Sequence, residues 1–280
     1  MRDDMIPLEY LLNFIDEDAP FGDITSESIV PDVSCQALIR TEREGIVAGL
    51  QEVGVLFSHF GVKVKPETGD GELVKEGVVL LTLSGPAKEI LLIERTALNI
   101  IGRMSGIATH TKRMMDQVKK VNPKCRVAAT RKTCPGLRVL DKKAVALGGG
   151  DAHRSGLSDG ILIKDNHLIL VPLIEAIRNA KAKNSYRKIE IEVETVEDAL
   201  AAAQEGADII LLDNMTPDRI RNTVMHLEKA GLRDRVTIEL SGGITADTIS
   251  EYARTGADVI SIGALTHTVT NFSVTLEILK

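Results

Sequence analysis

The chain has 280 residues, a hydrophobic fraction of 44% and a formal net charge of −6. That length suits one large α/β barrel or two ordinary domains, with enough apolar residues for a sizeable core. Aromatic residues make up 3% of the chain, Trp is absent, and no basic helix or nucleic-acid motif appears, so a nucleic-acid partner is not expected. No stretch approaches the roughly 20 apolar residues of a membrane span, and residues 1–12 lack a signal-peptide pattern. We therefore expect a soluble protein of the cytoplasm.

The first part of the chain predicts a small α/β sandwich. Apolar periodicity predicts a helix over Glu9–Asp16, and a turn with capping residues follows at Pro20–Thr25. Short β-strands bounded by Gly, Pro and Asp come next, with a helix over Gln51–Phe60 between them. These strands are predicted at Gln36–Arg40, Gly45–Gly49, Val62–Lys65 and Val78–Leu83. We predict an amino-terminal domain over residues 1–105, joined by the carboxyl-terminal segment 268–280.

A helical pattern over Ile90–Val118 connects this region to a second one, where short apolar runs alternate with helix-length segments. Such alternation implies parallel strand pairing and predicts an open (β/α) barrel over residues 106–267. The alternative is an open doubly wound sheet, but no GxGxxG fingerprint follows an early strand. Seven strands are predicted, at Val127–Thr130, Ala144–Leu147, Ile161–Ile163, Ile189–Val193, Asp208–Leu212, Val236–Leu240 and Asp258–Ile262.

Two small repeats agree with this alternation of helices and strands. Glu205–Asp208 and Thr255–Asp258 both contain Gly-Ala-Asp directly before a buried strand. Gly in this context predicts the end of a helix. The repeats therefore indicate the fold, and they carry little information about function.

A basic stretch lies in the middle of this acidic chain. Nine Lys and Arg but only four Asp occur between Lys124 and His167. The charge is concentrated in three segments that also carry glycines and imidazoles: Thr130–Gly136, Gly148–Arg154 and Ile163–His167. Concentrated positive charge attracts anions and holds carboxylates or phosphates by charge-assisted hydrogen bonds. The stretch predicts an anionic substrate, and the alternative is a solvated basic loop.

The cysteines add little to this prediction. Cys35, Cys125 and Cys134 are odd in number and lack CxxC spacing, so neither a disulfide framework nor a thiolate zinc site is indicated. Cys134 lies in the basic stretch and is a candidate nucleophile. A single Cys beside a Pro-Gly turn is more often a packing residue.

Polar residues stand where nearly all of the predicted barrel strands end. In a parallel barrel the carboxyl ends of the strands form the catalytic face, so these residues should converge on one mouth. Two glycine motifs follow the last two strands, where backbone amides often bind phosphate. The carboxylates among them suit Mg²⁺, which prefers oxygen ligands. The residues at the strand ends are Arg131, Lys132, Lys164, Glu192, Asp213, Ser241, Gly242, Gly243 and Gly263.

Several motifs in a fixed order resemble the quinolinate phosphoribosyltransferase family over nearly the whole chain. They are Thr-Arg-Lys-Thr-x-Pro-Gly, Gly-Gly-Gly-x-x-His-Arg, Ile-Lys-Asp-Asn-His, Leu-Leu-Asp-Asn, Ser-Gly-Gly-Ile and Gly-Ala-Leu-Thr-His. The variable positions of the first two motifs are Cys134 and the pair Asp151-Ala152, none of which receives a ligand role. The resemblance implies an amino-terminal sandwich, an open α/β barrel, and a homodimer, with further assembly left open.

The resemblance also implies roles for individual residues. Ligands of quinolinate would be Arg131, His153, Arg154 and Lys164, with Arg95 reaching in from the partner chain. Phosphoribosyl pyrophosphate would be bound by Lys132, Glu192, Asp213, Ser241, Gly242, Gly263 and His267. Within these sets, Lys132, Lys164, Glu192 and Asp213 would be catalytic. Glu192 and Asp213 would hold Mg²⁺, directly or through water.

The implied reaction is phosphoribosyl transfer to quinolinate with decarboxylation, which forms nicotinate mononucleotide, pyrophosphate and CO2 in NAD biosynthesis. Two alternatives were weighed against it. Proteins of the same superfamily that are associated with molybdenum transport commonly lack the Lys-Asp-Asn-His segment, which is intact at Lys164–His167. A non-catalytic dicarboxylate-binding protein would need the cations but not Glu192, Asp213 and the glycine motifs.

Overall fold

The computed structural model describes residues 6–279. Residues 1–5 and 280, at the outer ends of the predicted segments 1–105 and 268–280, lie outside the described residues. Two units divide the chain. The first comprises the chain up to Lys112, Pro135–Gly149 and the chain from Thr268 onward, and the second comprises Arg113–Cys134 and Gly150–His267. The predicted boundary near residue 105 stays a prediction.

Among the described residues, the first unit contains an antiparallel sheet, four helices that lie wholly within it, and most of a fifth helix. Its strands are β1 (Ser34–Thr41), β2 (Gly45–Ile46), β3 (Lys63–Pro66), β4 (Leu73–Val74), β5 (Val79–Pro86) and β12 (Val274–Leu279). Four of them pair in the order β12-β1-β5-β3, while β2 pairs with β4. Helices of this unit are α1 (Leu8–Asp18), α2 (Ile24–Ile29), α3 (Leu50–His59) and α5 (Arg138–Leu147). Fully buried side chains such as Leu11, Phe57 and Leu83 form its core.

The predicted helix over Ile90–Val118 is one continuous helix, α4 (Ala87–Val121), of 35 residues. The predicted strand over Gly45–Gly49 is shorter than expected, since only β2 is extended. The predicted strand at Ala144–Leu147 was wrong, because this run lies in α5. The short apolar run is ambiguous between strand and helix. The buried positions Leu140, Ala144 and Val145 follow the helical spacing.

The second unit contains six parallel strands in one sheet. They are β6 (Arg126–Ala128), β7 (Ile161–Ile163), β8 (Ile189–Val193), β9 (Ile209–Asp213), β10 (Thr237–Ser241) and β11 (Val259–Ser261). Their order is β6-β11-β10-β9-β8-β7. Within residues 6–279, no pairing joins β6 to β7, so the sheet is open, as the prediction of an open barrel requires. The helices are α6 (Asp165–Leu168), α7 (Leu173–Lys183), α8 (Val196–Glu205), α9 (Pro217–Lys229), α10 (Ile249–Ala253) and α11 (Ala264–His267).

The two Gly-Ala-Asp repeats connect helices to strands as predicted. Gly206 ends α8 with a φ of 85°, and β9 begins three residues later. The aspartates have a further role that explains the repeat. Asp208 accepts the backbone N–H of Ile189 at 2.8 Å, and Asp258 accepts that of Ile238 at 2.7 Å. Each carboxylate thus fixes the start of the neighbouring strand by satisfying a backbone donor.

Of the helices in the described part of the chain, none combines the length and apolar character that a membrane-crossing segment needs.

Candidate active site

A cavity of about 470 Å³ in the second unit collects most of the predicted site residues. It lies where the parallel strands end, which is the functional edge of such sheets. Among the residues proposed from the sequence, the cavity is lined by Arg131, Lys132, His153, Arg154, Lys164, Glu192, Asp213, Ser241 and Gly242. The predicted convergence of strand ends is therefore observed.

Three predicted residues are not part of this lining. Gly263 and His267 lie directly beside Lys132, because a Cβ built on Gly263 would be 3.0 Å from Lys132 Cδ and 3.1 Å from His267 Nε2. The Thr266 hydroxyl also donates to the carbonyl oxygen of Lys132 at 2.8 Å. Arg95 is an exposed residue of α4 in the first unit.

The basic stretch divides into two groups with different surroundings. Four of its nine cations line the cavity, at positions 131, 132, 154 and 164. Arg126 instead pairs with Asp151. Lys143, in the first unit, pairs with Glu52 at 2.5 Å. The local charge excess therefore overstates the positive charge of the site.

The guanidinium groups of Arg131 and Arg154 in the cavity are suited to bind an anion. Within the described residues, the buried Nε of Arg131 has no hydrogen-bond partner. Burial, together with the positive charge of Arg131, lowers the pKa of Arg154 from its ordinary value. Two desolvated, mutually repelling cations favour a ligand of opposite charge, and a guanidinium matches a carboxylate in two parallel hydrogen bonds.

The side chain of Lys164 contacts a carboxylate that lines the cavity. Its Nζ forms an ion pair with Glu192 Oε2. The local turn depends on His167, whose Nδ1 accepts the backbone N–H of Lys164 at 3.0 Å. The Lys-Asp-Asn-His segment therefore combines a cavity cation with the side chain that caps its own short helix α6.

Glu190 and Glu239 are the main site residues that the sequence reasoning missed. His153 Nε2 lies 3.2 Å from Glu239 Oε1 and 3.7 Å from Glu190 Oε2. The hydroxyl of Ser261 donates to Glu239. Burial, and then the charge of Glu239, raise the pKa of Glu190 to about 7, while His153 and nearby cations oppose this shift.

A signal for these acids was present in the strand sequences. Side chains two positions apart on a strand face the same side. Glu190 precedes Glu192 by two residues on β8, and Glu239 precedes Ser241 by two on β10. The ligand atoms of His153, Glu190 and Glu239 lie within 4.8 Å of one another, a separation that could hold a metal ion. Imidazole is typical of zinc or other transition-metal sites and not of Mg²⁺.

Gly242 is required by its position against Asn214. It has a φ of 101°, and a Cβ there would lie 2.2 Å from Asn214 Oδ1 and 2.8 Å from the Asn214 nitrogen. Asn214 itself donates to Asp213 Oδ2 at 2.5 Å. The glycine thus allows the loop after β10 to approach the loop after β9, which orients the Asp213 carboxylate.

This fold and cavity define an α/β enzyme class that acts on anionic substrates at the ends of parallel strands. The carboxyl-terminal and amino-terminal domain models of quinolinate phosphoribosyl transferase match residues 107–277 and 23–105. The chain therefore belongs to the quinolinate phosphoribosyl transferase family.

Sequence similarity to the relatives extends over nearly the whole chain. The probable carboxylating nicotinate-nucleotide pyrophosphorylase of Archaeoglobus fulgidus is 44% identical, over 93% of this chain and 100% of its own length. The carboxylating nicotinate-nucleotide pyrophosphorylase of Mycobacterium leprae is 38% identical, over 94% and 93%. The crystal structure of nicotinate-nucleotide pyrophosphorylase from Ehrlichia chaffeensis superposes with a TM-score of 0.92 at 32% identity, covering 100% of both chains.

Proposed function

We propose that this chain transfers the phosphoribosyl group of 5-phosphoribosyl 1-pyrophosphate to quinolinate, with decarboxylation, in the de novo synthesis of NAD. Quinolinate phosphoribosyltransferase is the activity of its family, and the relatives above are named for the carboxylating nicotinate-nucleotide pyrophosphorylase reaction. The observation that carries the assignment is one cavity lined both by cations and by the carboxylates of Glu192 and Asp213. A dicarboxylate-binding protein without catalysis would not need these carboxylates.

The basic side suits the pyridine dicarboxylate. Arg131, Arg154 and Lys164 would pair with its two carboxylates, and His153 stands between them and the buried acids. The Nε of Arg131, which has no partner in residues 6–279, supplies a donor that is already desolvated. Because such groups lose little hydration on binding, they favour an anion that replaces the missing hydrogen bonds.

Phosphoribosyl pyrophosphate would occupy the opposite part of the site. Lys132, Gly263 and His267 lie together there, and Ser241 and Gly242 contribute the loop after β10. The helices that follow these loops are short, with five residues in α10 and four in α11. We therefore propose that the amides of these loops and Lys132 bind the phosphates.

Glu192 and Asp213 fit a Mg²⁺ ion by the chemistry of their donor atoms. Both carboxylates line the cavity, and their strands are neighbours in the sheet. We propose that they hold Mg²⁺ directly or through water, since this cation is bound by one or two carboxylates plus substrate phosphates. When bound, Mg²⁺ would supply charge compensation for the departing pyrophosphate.

The reaction balances without a protein nucleophile. The pyridine nitrogen forms a bond to ribose C1 while the bond from C1 to the pyrophosphate oxygen breaks. The bond from ring C2 to its carboxylate then breaks, its electron pair stays on C2 next to the positively charged nitrogen, and CO2 leaves. A proton from solvent completes nicotinate mononucleotide. The side chains Arg131, Arg154 and Lys164 hold the ring in position during both steps, and Glu192 and Asp213 stabilise the positive charge that develops on the ribose.

The purified protein with quinolinate, phosphoribosyl pyrophosphate and Mg²⁺ should form nicotinate mononucleotide. Quinolinate labelled in its 2-carboxyl group should release one labelled CO2 for each pyrophosphate formed. Nicotinate is the control substrate, because it lacks the carboxylate that is lost. Release of no CO2, or equal use of nicotinate, would overturn the assignment.

A homodimer in which Arg95 enters the partner's site forms the second part of the proposal. Arg95 is exposed on α4, which leaves it available to a second copy of the chain. Arg95→Ala and Lys164→Ala should each be inactive alone. Mixed after subunit exchange, they should regain up to about a quarter of the activity, because one site in each hybrid dimer is then intact. If exchange is demonstrated and no activity returns, Arg95 acts within its own chain.

We also propose a cytoplasmic location. Cys35, Cys125 and Cys134 are all free thiols. Unpaired cysteines are typical of a reducing compartment.

A further inference from the structure

Two buried carboxylates lie beside His153 and a hydroxyl group donates to one of them, and none of these three side chains has a role in the proposal above. Glu190 lies on β8, Glu239 on β10 and Ser261 on β11. The side chains of Glu190 and Glu239 are only 6% and 4% exposed. Buried carboxylates are retained at a cost in desolvation, so their contacts need a physical explanation.

The hydrogen bonds around His153 select one form of its ring. Nδ1 accepts the backbone N–H of Arg154 at 2.8 Å, which requires a lone pair on that nitrogen. The proton of the neutral ring is therefore on Nε2, which faces Glu239 Oε1 at 3.2 Å. Ser261 donates to the same carboxylate oxygen from β11 and holds it in place.

The same ring also supports an unusual backbone conformation. His153 has a φ of 56°, in the left-handed region that residues other than Gly rarely adopt. The bond from the Arg154 N–H to the ring stabilises this turn. Arg154 is the next residue, and its guanidinium enters the cavity and donates to the carbonyl of Gly160 at 3.4 Å. The direction of Arg154 therefore depends on the turn at His153.

We propose that Glu239 and Ser261 are positioning residues, which hold the His153 ring and thereby aim Arg154 at a carboxylate of the pyridine substrate. The identity of that substrate rests on the proposed function. Both side chains line the cavity, and in this proposal they act on the substrate through His153 and Arg154. They act through a chain of hydrogen bonds that runs from Ser261 on β11 to Glu239 on β10, and then to His153 in the turn after residue 151.

The first test measures the ring itself and needs no activity. In ¹⁵N-labelled protein, the His153 resonances are identified by their loss in His153→Gln. We expect Nε2 to carry the proton and Nδ1 to carry none, and Glu239→Ala should shift the Nε2 resonance, because Nε2 loses its acceptor. A protonated Nδ1 in the unsubstituted protein would overturn the proposal. A stoichiometric metal ion on Nε2, found by elemental analysis, would also overturn it, because that nitrogen would then carry no proton.

The second test separates the two substrates kinetically. Ser261→Ala should raise the KM for quinolinate about fivefold, since a lost hydrogen bond costs on the order of 1 kcal/mol. Glu239→Ala should raise it about thirtyfold or more for the same reason, as two bonds are lost. The KM for phosphoribosyl pyrophosphate and the kcat should change less than about threefold in both variants, because Arg154 acts on the other substrate.

Glu239→Gln is the conservative variant. Its amide oxygen still accepts from Ser261 and His153, so we expect a quinolinate KM within about threefold of the unsubstituted value. If Gln is as harmful as Ala, the charge of Glu239 matters and its hydrogen bonds do not, which overturns the proposal.

Thr223→Val is the matched control. It removes a fully buried hydroxyl of α9 that bonds the Arg219 carbonyl at 2.9 Å, away from the cavity. It should change neither KM. Equal rises of both KM values in Ser261→Ala, with a lower melting temperature, would show a purely structural role. Absence of turnover in the unsubstituted protein with the expected His153 tautomer would refute the proposed function and not the hydrogen-bond chain.

Discussion

Two buried arrangements of charge, one in each unit, differ in how completely their polar atoms are paired. In the first unit Arg103 donates from Nε and Nη2 to both oxygens of Asp141, at 2.7 and 2.9 Å, and Asp141 is fully buried. In the second unit, the buried Nε of Arg131, which lines the cavity, and the buried Oε1 of Glu190, beside His153, have no hydrogen-bond partner among the described residues.

This difference distinguishes a structural ion pair from a binding site. A carboxylate whose oxygens are both bonded to one guanidinium has little left to offer a ligand. A desolvated guanidinium with a missing bond gains that bond when an anion enters. Unpaired buried atoms also occur in the first unit, at Arg40 Nε and Glu52 Oε2, so such an atom indicates the site only where it belongs to a residue that lines the cavity, as Arg131 does. The four predictions that follow test this comparison.

The largest effect is expected on stability, from Arg103→Ala. Removing one partner of a buried pair should lower the free energy of unfolding by about 3–5 kcal/mol, because Asp141 is left charged and buried. Denaturant unfolding measures this loss. Arg178→Ala is the control, since its exposed pair with Glu205 should contribute less than about 1 kcal/mol. A similar loss in both variants would contradict the special role of the buried pair.

Arg131→Ala should have its effect on binding instead. We expect kcat/KM for quinolinate to fall about 100- to 1000-fold, the usual cost of losing a desolvated charged hydrogen bond. The free energy of unfolding should change by less than about 1 kcal/mol, since the Nε already lacks a partner. Arg126→Ala, in the same basic stretch but paired with Asp151, is the control and should keep its kinetics. A loss of stability in Arg131→Ala without a fall in kcat/KM would show that Arg131 is a structural residue and not a binding residue.

The acidic side of the cavity should affect the other substrate. Glu192→Gln should raise the Mg²⁺ concentration needed for half-maximal rate, and the KM for phosphoribosyl pyrophosphate, about tenfold, because one anionic oxygen ligand is lost. Glu194→Gln, an exposed neighbour outside β8, should leave both values unchanged. A rise confined to the quinolinate KM would show that Glu192 serves the basic side through Lys164.

The smallest effect concerns the cysteines and leaves stability unchanged. Cys134 is exposed, whereas burial raises the pKa of Cys125 to about 12. Thiolates are the reactive form, so at pH 8 iodoacetamide should modify Cys134 in the folded protein and Cys125 only after unfolding. Peptide mass spectrometry gives the extent of reaction at each position. Labelling of Cys125 at the rate of Cys134 would show that the first strand of the parallel sheet opens under native conditions.

Much of the fold could be predicted because its signals are local. Two local signals were sufficient to place the strands. They are the glycines that end helices before Asp208 and Asp258, and the apolar runs of β8 to β11. Ala144–Leu147 could not be assigned from its four residues. Helical packing of Leu140 and Val145 decided its structure, and an apolar run of that length carries no information about its partner elements.

Some residues of the site could be predicted from the sequence and others could not, for the same physical reason. Arg131 and Arg154 lie in glycine-containing loops, where a charged residue has no ordinary structural explanation. Glu190 and Glu239 lie inside strands, where an isolated acid is easily interpreted as a solvent-facing residue. Both side chains are buried in the folded chain, and the sequence of a single strand does not show which of its two faces is covered.

The sequence by itself determined the order of the elements, the family and the chemical character of the two substrates, because these depend on motifs and on the composition of short segments. Only the tertiary structure decided which cations of the basic stretch face the cavity and that buried acids support His153. Arg126, Lys143 and Arg131 look alike in the sequence. Arg126 and Lys143 have partners 25 and 91 positions away, whereas the buried Nε of Arg131 has none among the described residues, and such distances are bridged only when the chain folds.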